Sequence, residues 1–469
     1  MGRLLNLVRR DASLLRARDL TELDLRTHDL SGADLSGAEM GRADLRGVRM
    51  SKAQLIGATL SGARMEGCDL TEADLTEARL GGADLTNAAM RAAMAAGAHF
   101  SGARMSAIHA PNAVLIGAAL MGVNLSEAEL RNADLSEADI SGGILTGAML
   151  ARANLTGADL RYAHVEDADL TEAVLTNILA ASGRFGGAQL ARADLSGADM
   201  RGTALVRAML EGADLTGVDA TDSDLTGALL TGATAPAINL RGTRMRRSVL
   251  TDANLEGAIL ESTDLCHSVA RNLIAAGAAA ASCRLRGADL QNADLRGANL
   301  TMADLRDADL RGANLSHATL CGATLTGARA EGALFHGADM LDTDLSGANL
   351  TGAHLREVVL EGAVMVDCRL SEADLSRSDM TGADLSRAHL DRAILRGADL
   401  SGANLHGADM TGTDLRLADL SNADLRSAIL HDARLVWTRL VGANTERTSW
   451  TGADFEGADL RGTSAELLR

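Results

Sequence analysis

The chain has 469 residues, 46% of them hydrophobic, only two prolines, and a formal net charge of −18. No apolar stretch approaches the ~20 residues of a membrane span, and an acidic balance argues against a surface that grips nucleic-acid phosphates. Aromatic residues make up 1% of the total, so Ala, Leu and Met must fill the interior almost alone, which demands a narrow core repeated many times.

The first element in chain order is residues 1–19. Arg3, Arg9, Arg10, Arg16 and Arg18 stand there against Asp11, reversing the sign of the rest of the chain. Leu4, Val8, Ala12 and Leu15 share one helical stripe, which predicts a short capping helix over an otherwise open end. A membrane-surface anchor and a partner-docking helix are the other readings of this segment. Charges interleaved with its leucines distinguish it from a signal peptide.

From Leu20 to Leu460 the chain keeps a single five-residue register, 89 pentads in all. Every residue of the central column is Leu, Met, Ile, Val or Phe except Ala95, Ala110, Ala180, Ala220, Ala235, Ala270, Ala275, Ala280, Ala330, Thr445 and Trp450. A small residue stands two places before it, as at Ala33 and Ala38, and Gly often two places after, as at Gly32, Gly37, Gly47 and Gly57. A period of five matches neither the 3.6 of a helix nor the 2 of a strand, so the chain must turn once per unit. Glycine then serves a corner with positive φ, Ala and Leu point inward, and Asp or Asn hydrogen-bonds nearby backbone.

The unit Ala293-Asp294-Leu295-Arg296-Gly297 and its neighbours resemble the A(D/N)LXX motif of the pentapeptide-repeat family over about residues 20–463. The resemblance implies an all-β solenoid, a right-handed quadrilateral β-helix with four pentads per coil. About 22 coils, rising ~4.8 Å each, would make a rod of roughly 105 Å, with residues 464–469 as a tail. Some members are similar in width and charge to B-form DNA and protect a type II topoisomerase, DNA gyrase, from inhibitors. By that analogy a homodimer through the C-terminal end is expected, with no separate dimerisation helix evident.

Function in a regular repeat is best sought where the pattern breaks. Glu66, Asp69, Glu72, Asp74, Glu77 and Asp84, opposed only by Arg79, form a candidate acidic patch. Residues 92–112 lose central leucines, yet their unbroken phase predicts that they stay in the coil. Between 204 and 283 the usually polar place before the central residue becomes Met209, Leu229, Val249 and Val269, joined by Ile259 and Ile274. Arg244, Arg246 and Arg247 lie close by, and together these residues form a candidate partner surface. Near the end, Trp437, Trp450 and Phe455 predict either a bulky cap or a dimer end.

Nothing in the pattern converges on chemistry, so no enzyme, metal or cofactor is expected. His317 and His336 come nearest to a pair, one coil apart, and a pair is not a metal site. Cys68, Cys283 and Cys368 fall in the inward small-residue column, whereas Cys266 and Cys321 are expected to face outward. Five cysteines without metal or disulfide spacing predict a reducing, cytoplasmic setting.

Two functions compete. One is a scaffolding rod that docks a protein partner on an acidic, partly apolar surface, without direct nucleic-acid contact or an integral membrane segment. The other is a DNA mimic for a type II topoisomerase. DNA carries a charge every ~1.7 Å, against one net charge per ~5 Å here, about three times too weak overall.

Overall fold

The computed structural model describes residues 15–463. The chain comprises two compact units, Met1–Thr234 and Ala235–Arg469, built on the same plan. Parallel bridges join residues twenty apart at every fifth position, from Asp19↔Glu39 to Asp214↔Thr234 in the first unit and from Asn239↔Ile259 to Arg439↔Asp459 in the second. Each coil therefore has four sides, and each side contributes one bridging residue in place of an extended strand.

The pentad 293–297 shows why the motif has its composition. Ala293 N–H donates to Leu290 O across the turn, at 3.0 Å. Asp294 N–H reaches back to Leu273 O (2.8 Å), while Leu295 and Gly297 N–H reach forward to Asn314 O (2.8 Å) and Ser316 O (3.0 Å). The fifth donor, Arg296 N–H, has no backbone acceptor and goes to Asp294 Oδ1 at 3.2 Å. Asp or Asn before the central leucine thus completes the pairing of the unit's amides.

The corner after each leucine adopts positive φ almost without exception, whether the residue is Gly297 (φ 63°) or Leu417 (φ 64°). The glycines expected at corners do sit there, but the backbone holds this conformation even where a side chain makes it costly.

Central leucines and the alanines before them form the buried core, and its irregularities are exchanges of volume. Each of the three largest buried side chains, Phe100, Phe185 and Phe335, follows an alanine five residues earlier, namely Ala95, Ala180 and Ala330. Ile108, Ile178, Val218 and Leu273 enlarge the small place two residues before Ala110, Ala180, Ala220 and Ala275. Large and small residues alternate so that the narrow interior stays filled.

Residues 92–112 remain in the coil, since Ala89↔His109 and Met94↔Val114 continue the ladder and Ala92 and Asn112 are ordinary positive-φ corners. The expected capping helix falls mostly on residues 1–14 and the tail on 464–469, outside the described residues. Within the described residues, Ala17 N–H bonds Ser36 O at 2.9 Å and Asp19 bridges Glu39. No helix among the described residues is long and apolar enough to cross a membrane.

Candidate functional site

The nine residues of the expected partner surface do not form one patch. In the first unit Met209 and Leu229 bridge each other; in the second Val249 bridges Val269, while Ile259 and Ile274 belong to two further ladders and hence to other sides. Met209, Val269 and Ile274 are exposed, and Leu229, Val249 and Ile259 are half-buried. Exposed aliphatics also occupy this place at Met94, Ile144, Val174, Leu179, Val359, Val364, Ile394 and Ile429, so the middle third is not unique.

Arg246 is engaged within the fold. Its Nε donates to Asp264 Oδ2 at 2.6 Å, and Arg284 stands 3.3 Å from the same oxygen. Asp264 is only 7% exposed. Burial opposes its ionisation, but hydrogen bonds from Cys266 and Arg246 prevail and hold the carboxyl below its usual range. Arg244 bridges Asp264, and Arg247 is an exposed corner with φ 58°.

This clasp corrects the expectation for Cys266. Its side chain is buried at 7% exposure beside Asp264 and Arg246, with burial raising its pKa. Cys68, Cys283 and Cys368 are buried in the inward column, burial pushing the last two up to about 12, and Cys321 is half-buried.

The acidic residues Asp69, Asp74 and Asp84 lie on three different ladders, so the patch read from sequence is spread around the coil. Asp84 is buried and held by Arg104 and Thr86, and Glu72 stands 3.6 Å from Lys52. Sequence reading missed a further motif, Asp-Leu-Arg, in which aspartate and arginine two residues apart form a two-armed pair. Arg296 Nε and Nη2 reach Asp294 Oδ1 and Oδ2 at 2.8 and 2.6 Å, and Arg46 grips Asp44 in the same way at 2.8 and 2.6 Å. A bonding arginine two places along was the available signal, because the turn brings those side chains to one edge.

Carboxylates also stack without such clamps. Asp379, Asp399 and Asp419 occupy consecutive bridges and are capped by Thr381, Ser401 and Ser421 N–H groups at 3.0, 2.9 and 2.9 Å. Arg439 approaches only the last, at 3.2 Å.

The three C-terminal aromatics separate. Trp450 and Phe455 pack half-buried with ring centroids 5.2 Å apart. Trp437 stands 64% exposed at a corner, lying over Gly457, where an added Cβ would meet its ring at 2.7 Å. His317 and His336 meet edge to face at 5.4 Å, and among the described residues no group of three or more His, Cys, Asp or Glu could hold a metal ion.

A family model described as pentapeptide repeats matches the chain in successive segments from 19–51 to 438–466. The stretches it omits, 107–111, 178–183, 220–222 and 266–275, contain Ala110, Ala180, Ala220, Ala270 and Ala275, where core volume is exchanged or reduced. Solved structures include HetL, a pentapeptide repeat protein involved in heterocyst differentiation regulation from the cyanobacterium Nostoc sp. strain PCC 7120. It is 34% identical over 49% of this chain and 89% of its own, with a TM-score of 0.21. QnrB1, a plasmid-mediated fluoroquinolone resistance protein, is 21% identical over 42% and 92%, with a TM-score of 0.24. A comparison with curated proteins gives no match.

Proposed function

The chain belongs to the pentapeptide-repeat family of right-handed β-helical solenoids, and on that premise we propose that it is a non-catalytic scaffold that binds a protein partner through its outer surface. One observation carries this reading. The place before the central leucine normally supplies the acceptor for a turn amide, and at Met209, Leu229, Val249 and Val269, as at Ile144, Val174, Val359 and Ile394, that acceptor is given up for an aliphatic side chain. The fold loses a hydrogen bond at each, and Met209 and Val269 leave apolar surface in water. A binding role accounts for both costs. The unpaired, mostly buried thiols fit a reducing cytoplasm.

The test is affinity purification of the full chain against a double variant, Met209→Asp with Val269→Asp. The scaffold reading expects a defined partner retained by the parent and lost by the variant at unchanged melting temperature; an identical partner set sinks it.

A second reading, protection of a type II topoisomerase by DNA mimicry, is favoured by the ladder Asp379, Asp399 and Asp419, in which only Asp419 meets an arginine, Arg439. Its charges recur every ~4.8 Å along one side, much closer to the spacing of a phosphate strand than distant surface charges would be. A gyrase supercoiling assay with a quinolone decides it: absence of protection at micromolar protein removes this reading.

A further inference from the structure

A groove of about 440 Å³ in the second unit collects arginines from successive coils of an otherwise acidic chain. Arg356, Arg396 and Arg416 share one edge, forty and twenty residues apart with Ser376 between the first two, and Arg377 joins them; Ile394 and Leu417 give the apolar lining, and four arginines face the two lining carboxylates Asp374 and Asp414. Only Arg416 is fully engaged, both arms on Asp414, with Nε 2.7 Å from Oδ1. Arg356 stands 3.9 Å from Asp374 and Arg377 stands 3.5 Å from Glu357, both beyond hydrogen-bond distance. Arg396 has no carboxylate within the 4.0 Å of an ion pair among the described residues. An arginine-lined depression in the first unit differs: there Glu172 holds both Arg152 (2.8 Å) and Arg192 (2.6 Å).

The corner beside the groove reads Gly397, Leu417, Trp437, Gly457 in consecutive coils, all at positive φ. Leu417 and Trp437 are 55% and 64% exposed, so each bears a strained backbone without the return of burial. Exposed Trp, Leu and Arg in one place is the composition of an interface centre, where ring and guanidinium carry most of the binding energy.

We propose that this groove binds an extended acidic segment of a partner protein. Its carboxylates pair with Arg396, Arg356 and Arg377, and an apolar side chain between them lies against Leu417 and Ile394. Arg356 to Arg416 spans three coil rises, roughly 14 Å, which about four or five extended residues cover. The inference shares with the scaffold reading only the premise that the outer surface binds protein, and its residues are distinct from Met209 and Val269.

The test uses the full chain and a fluorescein-labelled peptide of about seven residues, alternating Asp and Glu around one Leu. Fluorescence anisotropy at low ionic strength is expected to saturate, Arg396→Glu to weaken binding about tenfold or more, and Leu417→Gly to weaken it while the melting temperature holds or rises. Absence of binding, or equal binding by the parent and Arg396→Glu, overturns the proposal. So does equal binding of a peptide with Ser in place of Leu, or equal competition by tripolyphosphate, since either would mark a simple anion sink. A dimer in sedimentation velocity that the peptide dissociates would assign the groove to a second copy of the chain and overturn it as well.

Discussion

The ring of Phe185 crowds the space that a side chain at position 183 would need: a Cβ on Gly183 would lie 2.9 Å from Phe185 Cε2, and 2.9 Å from the backbone oxygen of Ala180. Ala180, on the preceding side of the coil, makes further room. Gly183→Ala should cost ~1–3 kcal/mol by overpacking. In a Phe185→Leu background the ring's share of that cost should vanish while the approach to Ala180 O remains, so a double-mutant cycle by chemical denaturation reads the coupling to the ring directly. Additive effects would show that the backbone at 183, and not the ring, requires glycine.

Corner strain predicts opposite signs for two exchanges. Leu417 holds φ 64° while largely exposed, so Leu417→Gly should stabilise by roughly 0.5–1 kcal/mol. At Gly297 a Cβ would meet nothing within 4 Å, so Gly297→Ala should cost about 1–2 kcal/mol from φ alone. Melting temperatures moving in the same direction for both would refute the strain argument.

Asp294 serves both as turn acceptor and as partner of Arg296. Asn keeps the first role and loses only an exposed ion pair, so Asp294→Asn should change stability by less than ~0.5 kcal/mol. Asp294→Ala removes the acceptor as well and should cost about 1 kcal/mol. Equal losses in urea titrations would mean that the ion pair, not the turn, matters.

The clamped carboxylates set the response to acid. The Arg46 side chain hydrogen-bonds Asp44 and holds its pKa down to about 2, and Arg26 likewise depresses Asp24. Because these values lie below the ~3.9 of an unfolded aspartate, their contribution is complete above about pH 4 and is lost as pH falls toward 2. Thermal melts should therefore be flat from about pH 7 to 5 and fall between about 4 and 2, with Asp44→Asn reducing that slope. A decline already complete by pH 5 would contradict it.

The five-residue period determined much of this protein unaided. It placed Leu295 and Ala293 inside, Gly297 at a corner and Asp294 beside the backbone it caps, because each of those roles is fulfilled within a single turn. The tertiary structure decided what depends on stacking across coils. Which side chains meet twenty or eighteen residues apart, as Arg246 meets Asp264 beside the buried Cys266, follows from the number of pentads that close a coil and from the rotamers that reach over it. The same stacking dispersed Asp69, Asp74 and Asp84 among three sides and drew Arg356, Arg396 and Arg416 onto one edge, since neighbours along the chain face different directions and neighbours along the ladder face the same one.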